Sequence, residues 1–179
     1  MDAVEFVDLI RSRFYFKDLY HFTDRSNLES IKEFGLLSKA RLDELGISPL
    51  NPGGDEQSRN SDREHGIYNF VSLSFTPRNP MAYTCRQDGR HPNQVMISVC
   101  PSVLLLPNTL ICSEMANTTG ARFHPVSEAL EDLDYEVWLK DHGLKFADIK
   151  ERVDKMSRVE VLVCTQVPRN KLLSCRSSS

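Results

Sequence analysis

Val159-Glu160-Val161-Leu162-Val163-Cys164 is the stretch on which the fold turns. Its β-branched and apolar residues suit a core strand, yet an ionisable side chain stands among them. A carboxylate on such a strand costs free energy unless it is exposed on one face or paired. Two readings are open. Glu160 either alternates outward onto a solvated face, or it faces a cleft as a hydrogen-bond acceptor or base.

The neighbouring pattern is a strand-rich mixture. Residues 127–156 are mainly helical in pattern, and Lys171-Leu172-Leu173 suggests a further strand. Ile67 to Phe75, Gln94 to Cys100 and Thr109 to Cys112 also have strand character. Asn79-Pro80-Met81-Ala82-Tyr83 suits a helix start with Pro80 in its first turn. Near the N-terminus Val4, Val7, Ile10 and Phe14 lie at helical spacing over residues 3–14. Lys17 to Phe22 alternates polar and apolar residues, as a short strand does. Ser26-Asn27-Leu28-Glu29 then has capping-box form, and Leu28, Ile31 and Phe34 share one helical face ahead of a C-capping Gly35. His21 is therefore expected at a strand end, just before a helix. Residues 48–66 are rich in Pro, Gly, Ser, Asn and charge. They read as a long loop, of the kind that is functional or disordered. Regular β-α-β alternation and a G-x-G-x-x-G turn are both absent, which excludes a Rossmann dinucleotide site. The expectation is one α+β domain over residues 1–179.

Composition narrows the function classes. Of 179 residues, 40% are hydrophobic and 26% charged, an ordinary globular balance. A formal net charge of -3 disfavours bulk coating of duplex DNA, while leaving room for a local basic strip. The five cysteines form no C-x-x-C pair, so neither a zinc site nor a disulfide framework is indicated. No basic start followed by an apolar run opens the chain, and no apolar run approaches the roughly 20 residues of a membrane span. A cytoplasmic protein with reduced thiols is expected.

Several side chains are candidates for chemistry. His21, Thr23 and Asn27 crowd a helix start, where backbone N–H groups can receive an anion or a ribose diphosphate. A lone histidine is also a common structural residue. Arg59 and Arg63 are either solvated or able to clamp a pyrophosphate. There is no G-x-S-x-G, P-loop or H-E-x-x-H motif. The five histidines are dispersed, and Asp132, Asp134 and Glu136 look like a solvated acidic face rather than a metal site.

Three blocks, in order, resemble the DarT family. Leu19-Tyr20-His21-Phe22-Thr23, followed by Asn27-Leu28, Ile31 and Gly35-Leu36-Leu37, is similar to its opening motif. Tyr68-Asn69-Phe70-Val71-Ser72-Leu73-Ser74-Phe75-Thr76-Pro77-Arg78-Asn79-Pro80-Met81-Ala82-Tyr83 resembles its second block, and Arg158-Val159-Glu160-Val161-Leu162-Val163 its third. In the second block Ser74 stands where the family often carries an aromatic residue.

The resemblance implies an ADP-ribosyltransferase-like fold, a split β core with peripheral helices gripping NAD. It implies NAD as co-substrate, no metal, and transfer of ADP-ribose to a base of single-stranded DNA. Relatives of this fold act on RNA or protein instead, and a non-catalytic binding module is a further alternative. It also implies a toxin neutralised by a macrodomain antitoxin. Glu160 would be the catalytic carboxylate, and Arg59, with Arg63 as second choice, the catalytic arginine. His21, Phe22, Thr23, Asn27, Gly35, Leu36, Arg59, Phe75 and Tyr83 would contact or support NAD. Tyr68, Phe70 and Arg78 would face the acceptor. The expected reaction is substitution at the anomeric carbon through an oxocarbenium-like transition state, with an unpaired base attacking.

Overall fold

A computed structural model describes residues 1–54 and 56–177. In chain order it contains helix α1 (Ala3–Arg13), strand β1 (Leu19–Asp24), helix α2 (Leu28–Phe34), the short strand β2 (Leu36–Leu37), and helices α3 (Lys39–Leu45) and α4 (Glu56–Glu64). Strand β3 (Phe70–Ser74), helix α5 (Pro80–Gln87) and strands β4 (Gln94–Val99), β5 (Leu110–Cys112) and β6 (Phe123–Pro125) follow. Helices α6 (Val126–Asp132) and α7 (Phe146–Met156) precede strands β7 (Glu160–Cys164), β8 (Gln166–Val167) and β9 (Leu172–Ser177).

The main sheet has the order β6-β5-β7-β3-β1-β4-β9, and its neighbours are antiparallel. Its two halves meet at a narrow joint. β1 is in register with β4 along its whole length, and β3 with β7 along its whole length. β1 and β3 share only the pair Tyr20↔Ser74. The sheet is therefore split at its centre, the architecture of a split β core. β2 pairs with β8 in a separate two-stranded ribbon.

Helix α1 closes one side of the sheet. Asp2 accepts from the N–H groups of Val4 and Glu5, and Glu5 returns to the Asp2 N–H at 2.8 Å, a complete capping box. The helix buries Phe6, Val7 and Ile10. Phe6 packs edge-on against Phe14 at 5.7 Å and Phe75 at 6.1 Å, and Phe75 stacks on Trp138 at 4.4 Å. Leu73, Ile97, Ile111 and Val161 of the sheet belong to the same buried cluster.

Four expectations are corrected. The segment 48–66 is not one loop, because residues 56–64 form α4. That helix buries no residue and carries no apolar stripe, so hydrophobic periodicity could not reveal it. Ion pairs hold it to α3: Lys39 with Asp62, and Arg59 with Asp43 at 2.6 Å. The region 127–156 divides into α6 and α7, separated by a 3₁₀ turn at Tyr135–Trp138 and a stretch without regular secondary structure. The strand expected over 67–75 is confined to Phe70–Ser74. The Ser26-x-x-Glu29 box is not made either. Ser26 donates its N–H and hydroxyl back to Asp24, at 3.0 and 2.7 Å, and a 3₁₀ turn precedes α2.

Gly35 does end α2, with φ +85°. A Cβ there would lie 2.3 Å from the Val167 carbonyl oxygen. Both the left-handed φ and that close approach require glycine.

Candidate active site

Glu160 opens β7 and is half-buried. Its Oε2 accepts the Ala116 N–H at 2.8 Å. Burial lifts its pKa from 4.5 to about 7, against the pull of the Ala116 N–H and with a contribution from the Asp62 carboxylate on α4. A carboxyl group of this kind exchanges a proton near neutral pH.

The register sets a polar row across the sheet. Cys112, Glu160, Ser74, Tyr20 and Ser98 stand opposite one another on successive strands. Opposed residues share a face, so Glu160 and Tyr20 look out on the same side with Ser74 between them. Two strand spacings put their backbones about 10 Å apart. The Tyr20 phenol is pushed up to about 12 by burial and by Asp18, partly offset by Arg176, and so stays protonated.

His21 lies at the joint. Beyond Tyr20↔Ser74 the two central strands part, and the imidazole reaches across to β3. Its Nδ1 bonds the Ser72 carbonyl at 3.1 Å. A carbonyl only accepts, so Nδ1 carries the proton and Nε2 is left as an acceptor. Burial holds the ring below the usual histidine range, opposed by the Ser72 carbonyl and reinforced by His91, so His21 is neutral at neutral pH. His21 and Glu160 thus flank β3 from opposite sides.

Behind His21, the end of β1 is fixed by amides. Asn27 donates to Thr23 Oγ1 at 3.2 Å and to the Asn51 carbonyl at 2.9 Å, while its Oδ1 accepts from Leu50 N–H at 3.0 Å. Asp24 is 1% exposed. Burial alone would raise its pKa, but Ser26, the Asn93 N–H and the Asn51 amide outweigh that and hold it at about 2. This network pins Leu50 and Asn51 beside the open joint.

The other expected residues divide. Phe22 lies next to His21, with ring centroids 6.2 Å apart and planes 15° from parallel. Tyr68 donates to Asp43 at 2.6 Å, and Arg63 lies over its ring at 4.1 Å and bonds its hydroxyl at 2.8 Å. Arg59, bound to Asp43, is 5.7 Å from the same ring. Arg78 and Tyr83 meet Tyr20, Phe16, Arg86 and Arg176 in a cavity of about 710 Å³. Phe70 packs against the small cluster of Ile67, Cys112, Ala116 and Leu162. Gly35 and Leu36 serve the contact with β8. Phe75 was expected to face the cofactor but is a core residue, stacked on Trp138. It follows Ser74 along the chain, and Ser74 keeps the polar row while Phe75 joins the buried cluster.

Asp62, Ala116 and His91 were not anticipated. Their roles come from folding distant segments together, and no local pattern marks them. Asp134 and Glu136 are tied to Arg152, at 2.7 and 3.0 Å, as a surface ion-pair network.

Comparison with known proteins gives a consistent result. The family model described as "ssDNA thymidine ADP-ribosyltransferase, DarT" matches residues 20–175. A Thermosipho africanus protein named a DNA ADP-ribosyl transferase–DNA ADP-ribosyl glycohydrolase fusion is 26% identical over 144 residues, spanning 73% of this chain and 37% of that protein. The chain thus matches little more than a third of that relative's length. Thermosipho africanus DarTG in complex with ADP-ribose superposes with a TM-score of 0.68 at 21% identity, covering 90% of this chain and 44% of that one. Thermus sp. 2.9 DarT in complex with ADP-ribosylated ssDNA gives 0.67 at 17% identity, covering 90% and 81%. The same Thermus protein with NAD+ gives 0.59 at 18% identity, covering 92% and 83%. These likenesses establish the split-sheet fold.

Proposed function

Since the chain belongs to the DarT family of ssDNA thymidine ADP-ribosyltransferases, we propose that it transfers ADP-ribose from NAD to a base of single-stranded DNA. The observation that carries this reading is Glu160, a half-buried carboxyl with a pKa near 7 at the start of β7, across β3 from His21.

In this reading NAD lies along the joint between β1 and β3. His21 Nε2 accepts from a ribose hydroxyl, and Phe22 and Thr23 line the same end. Asn27 acts indirectly, by fixing the chain at Leu50 and Asn51. Arg59 exchanges its bond to Asp43 for one to the diphosphate. As the bond from nicotinamide to ribose lengthens, positive charge builds on the sugar, and the Glu160 carboxylate stabilises it. An unpaired base attacks the anomeric carbon, nicotinamide departs with the bond's electron pair, and the proton lost by the base passes to Glu160 or water.

The acceptor strand runs over the cavity at Tyr20, Tyr83, Phe16, Arg78 and Arg176, on the Glu160 side of the sheet. Aromatic faces with guanidinium groups suit a single strand, whose bases stack and whose phosphates need cations. Unpaired bases also avoid the cost of leaving a duplex. Tyr68 and Phe70 approach from the α4 side. Residues 1–179 act as one catalytic unit in the cytoplasm, and among the described residues no helix is long and apolar enough to cross a membrane. A toxin role with a macrodomain antitoxin fits the Thermosipho relative, whose name joins a glycohydrolase to the transferase.

Labelled NAD offered separately to single-stranded DNA, RNA and protein tests the proposal. Label in DNA supports it. Label confined to RNA or to protein moves the chain to that acceptor class. NAD binding without release of nicotinamide makes it a non-catalytic module.

A further inference from the structure

The aromatic surface does not stop at the rim of the cavity around Tyr20. We propose that Tyr15 and Lys17 form a further subsite for the single strand, with a base stacked on the Tyr15 ring and a backbone phosphate against the Lys17 ammonium. This rests on the single-stranded DNA reading above.

A local rule puts Tyr15 outside. Phe14 follows α1 with extended backbone and is 1% exposed, its ring packed against Phe6 and Trp138. Successive side chains of extended chain point opposite ways, so burying Phe14 turns Tyr15 outward. Tyr15 is 71% exposed. Its backbone is nevertheless fixed. Tyr15 N–H donates to the Trp138 carbonyl at 2.8 Å, Lys140 N–H to the Arg13 carbonyl at 2.9 Å, and Phe14 forms a bridge with Leu139. Phe16 braces the Tyr15 ring edge-on, at 5.0 Å and 82°.

A solitary exposed tyrosine is ordinary on a protein surface. This one ends a line of rings. Phe16 meets Tyr20 edge-on in turn, at 6.0 Å and 85°. Phe16 and Tyr20 line the cavity of about 710 Å³, together with Tyr83, itself 67% exposed. Tyr20 shares a face of the sheet with Glu160, across Ser74. The sequence of rings Tyr20, Phe16, Tyr15 thus leads away from the catalytic carboxyl, out of the cavity and onto the surface. Its two ring-to-ring steps, 6.0 and 5.0 Å, span at most about three bases of a stacked strand with a rise of roughly 3.4 Å each.

Charge selects the occupant. Arg78, Arg86 and Arg176 line the cavity against Asp18 and Asp154, and Asp154 is already paired with Lys150. Lys17, next to Phe16 in the chain, is exposed and makes no ion pair among the described residues. Rings bordered by cations fit a strand that alternates bases with phosphates. An apolar segment of a second protein would use the rings and leave the cations unmet.

Anisotropy titrations with labelled single strands of graded length test this. The parent should bind strands long enough to reach Tyr15 more tightly than strands that fill the cavity alone. Tyr15→Ala should bind the long strands roughly tenfold more weakly, the scale of one lost base stack, and the short strands as the parent does. Tyr15→Phe keeps the ring and should match the parent. Lys17→Ala should flatten the salt dependence of long-strand binding by about one phosphate contact. Unchanged long-strand affinity in Tyr15→Ala overturns the inference and leaves the DNA reading intact. The same result, with sedimentation showing a dimer that Tyr15→Ala dissociates, gives the ring to a second copy of the chain instead. A parent that binds no single strand of any length removes both.

Discussion

The two sides of the sheet are built to opposite rules. On the α1 side Phe6, Ile10, Phe14, Leu73, Ile97 and Val161 pack as an apolar cluster, with aromatic rings edge-on or stacked. On the cleft side a row of Cys112, Glu160, Ser74, Tyr20 and Ser98 crosses the same strands. Burial disfavours the charged form of Glu160 within that row, and also those of His21, opposite Ile97 at the joint, and of His91. The apolar cluster supplies stability. The row and the joint hold titratable groups away from the solvation they prefer, which only a well-packed cluster makes tolerable.

The sharpest way to break this contrast is Glu160→Gln. Transfer should fall about a hundredfold to a thousandfold, the scale of losing one transition-state electrostatic partner. Stability should move the other way. The folded state binds the Glu160 proton more tightly than the unfolded chain does, so this group's contribution is fully present below pH 4.5 and is lost as pH rises to about 7. The variant escapes that loss, by on the order of 3 kcal/mol at pH 8, and the advantage fades toward pH 4.5. Melting curves at both pH values check the sign, and a variant less stable than the parent at pH 8 would contradict it.

A cut on the other side should do the reverse. Phe6→Ala opens a cavity under α1 and should cost about 3–5 kcal/mol in denaturant unfolding. Any transfer that survives should scale with the folded fraction alone. Arg59→Ala is a smaller and more selective probe. Its ion pair with Asp43 is partly exposed and contributes less than about 1 kcal/mol to folding. NAD-dependent transfer should nevertheless drop about tenfold to a hundredfold if the guanidinium clamps the diphosphate. Arg63→Ala should do less, and a reversed order of the two variants would reassign the clamp to Arg63.

How far the sequence carries this far differs between the two sides as well. The helical spacing of Val7, Ile10 and Phe14 and the β-branched run at Val159–Val163 announce the apolar side, since repeated burial leaves a period. Glu160 is legible as the one break in that run, whereas His21, expected at a strand end, lies within β1 because the strand runs on to Asp24. The rest of the cleft is not periodic. α4 is polar throughout and is held by ion pairs to α3, so residues 56–64 look like loop. Asp62 comes near enough for its charge to act on the Glu160 carboxyl, and Ala116 bonds it, only through tertiary folding. The parting of β1 from β3 is a property of pairing rather than of either strand's composition. Phe75 resembles a pocket aromatic in the chain and turns out to stack on Trp138, because it joins the buried cluster while the preceding Ser74 keeps the polar row.

The most direct measurement is the titration of the Glu160 side chain itself, followed by carbon-13 NMR of the carboxyl with Glu160→Gln to assign the signal. A midpoint close to 7 is the predicted result, the signature of a carboxyl held in the cleft by the packing around it. A midpoint near the ordinary 4.5 would mean that the side chain faces water, and the contrast between the two sides of the sheet would be gone.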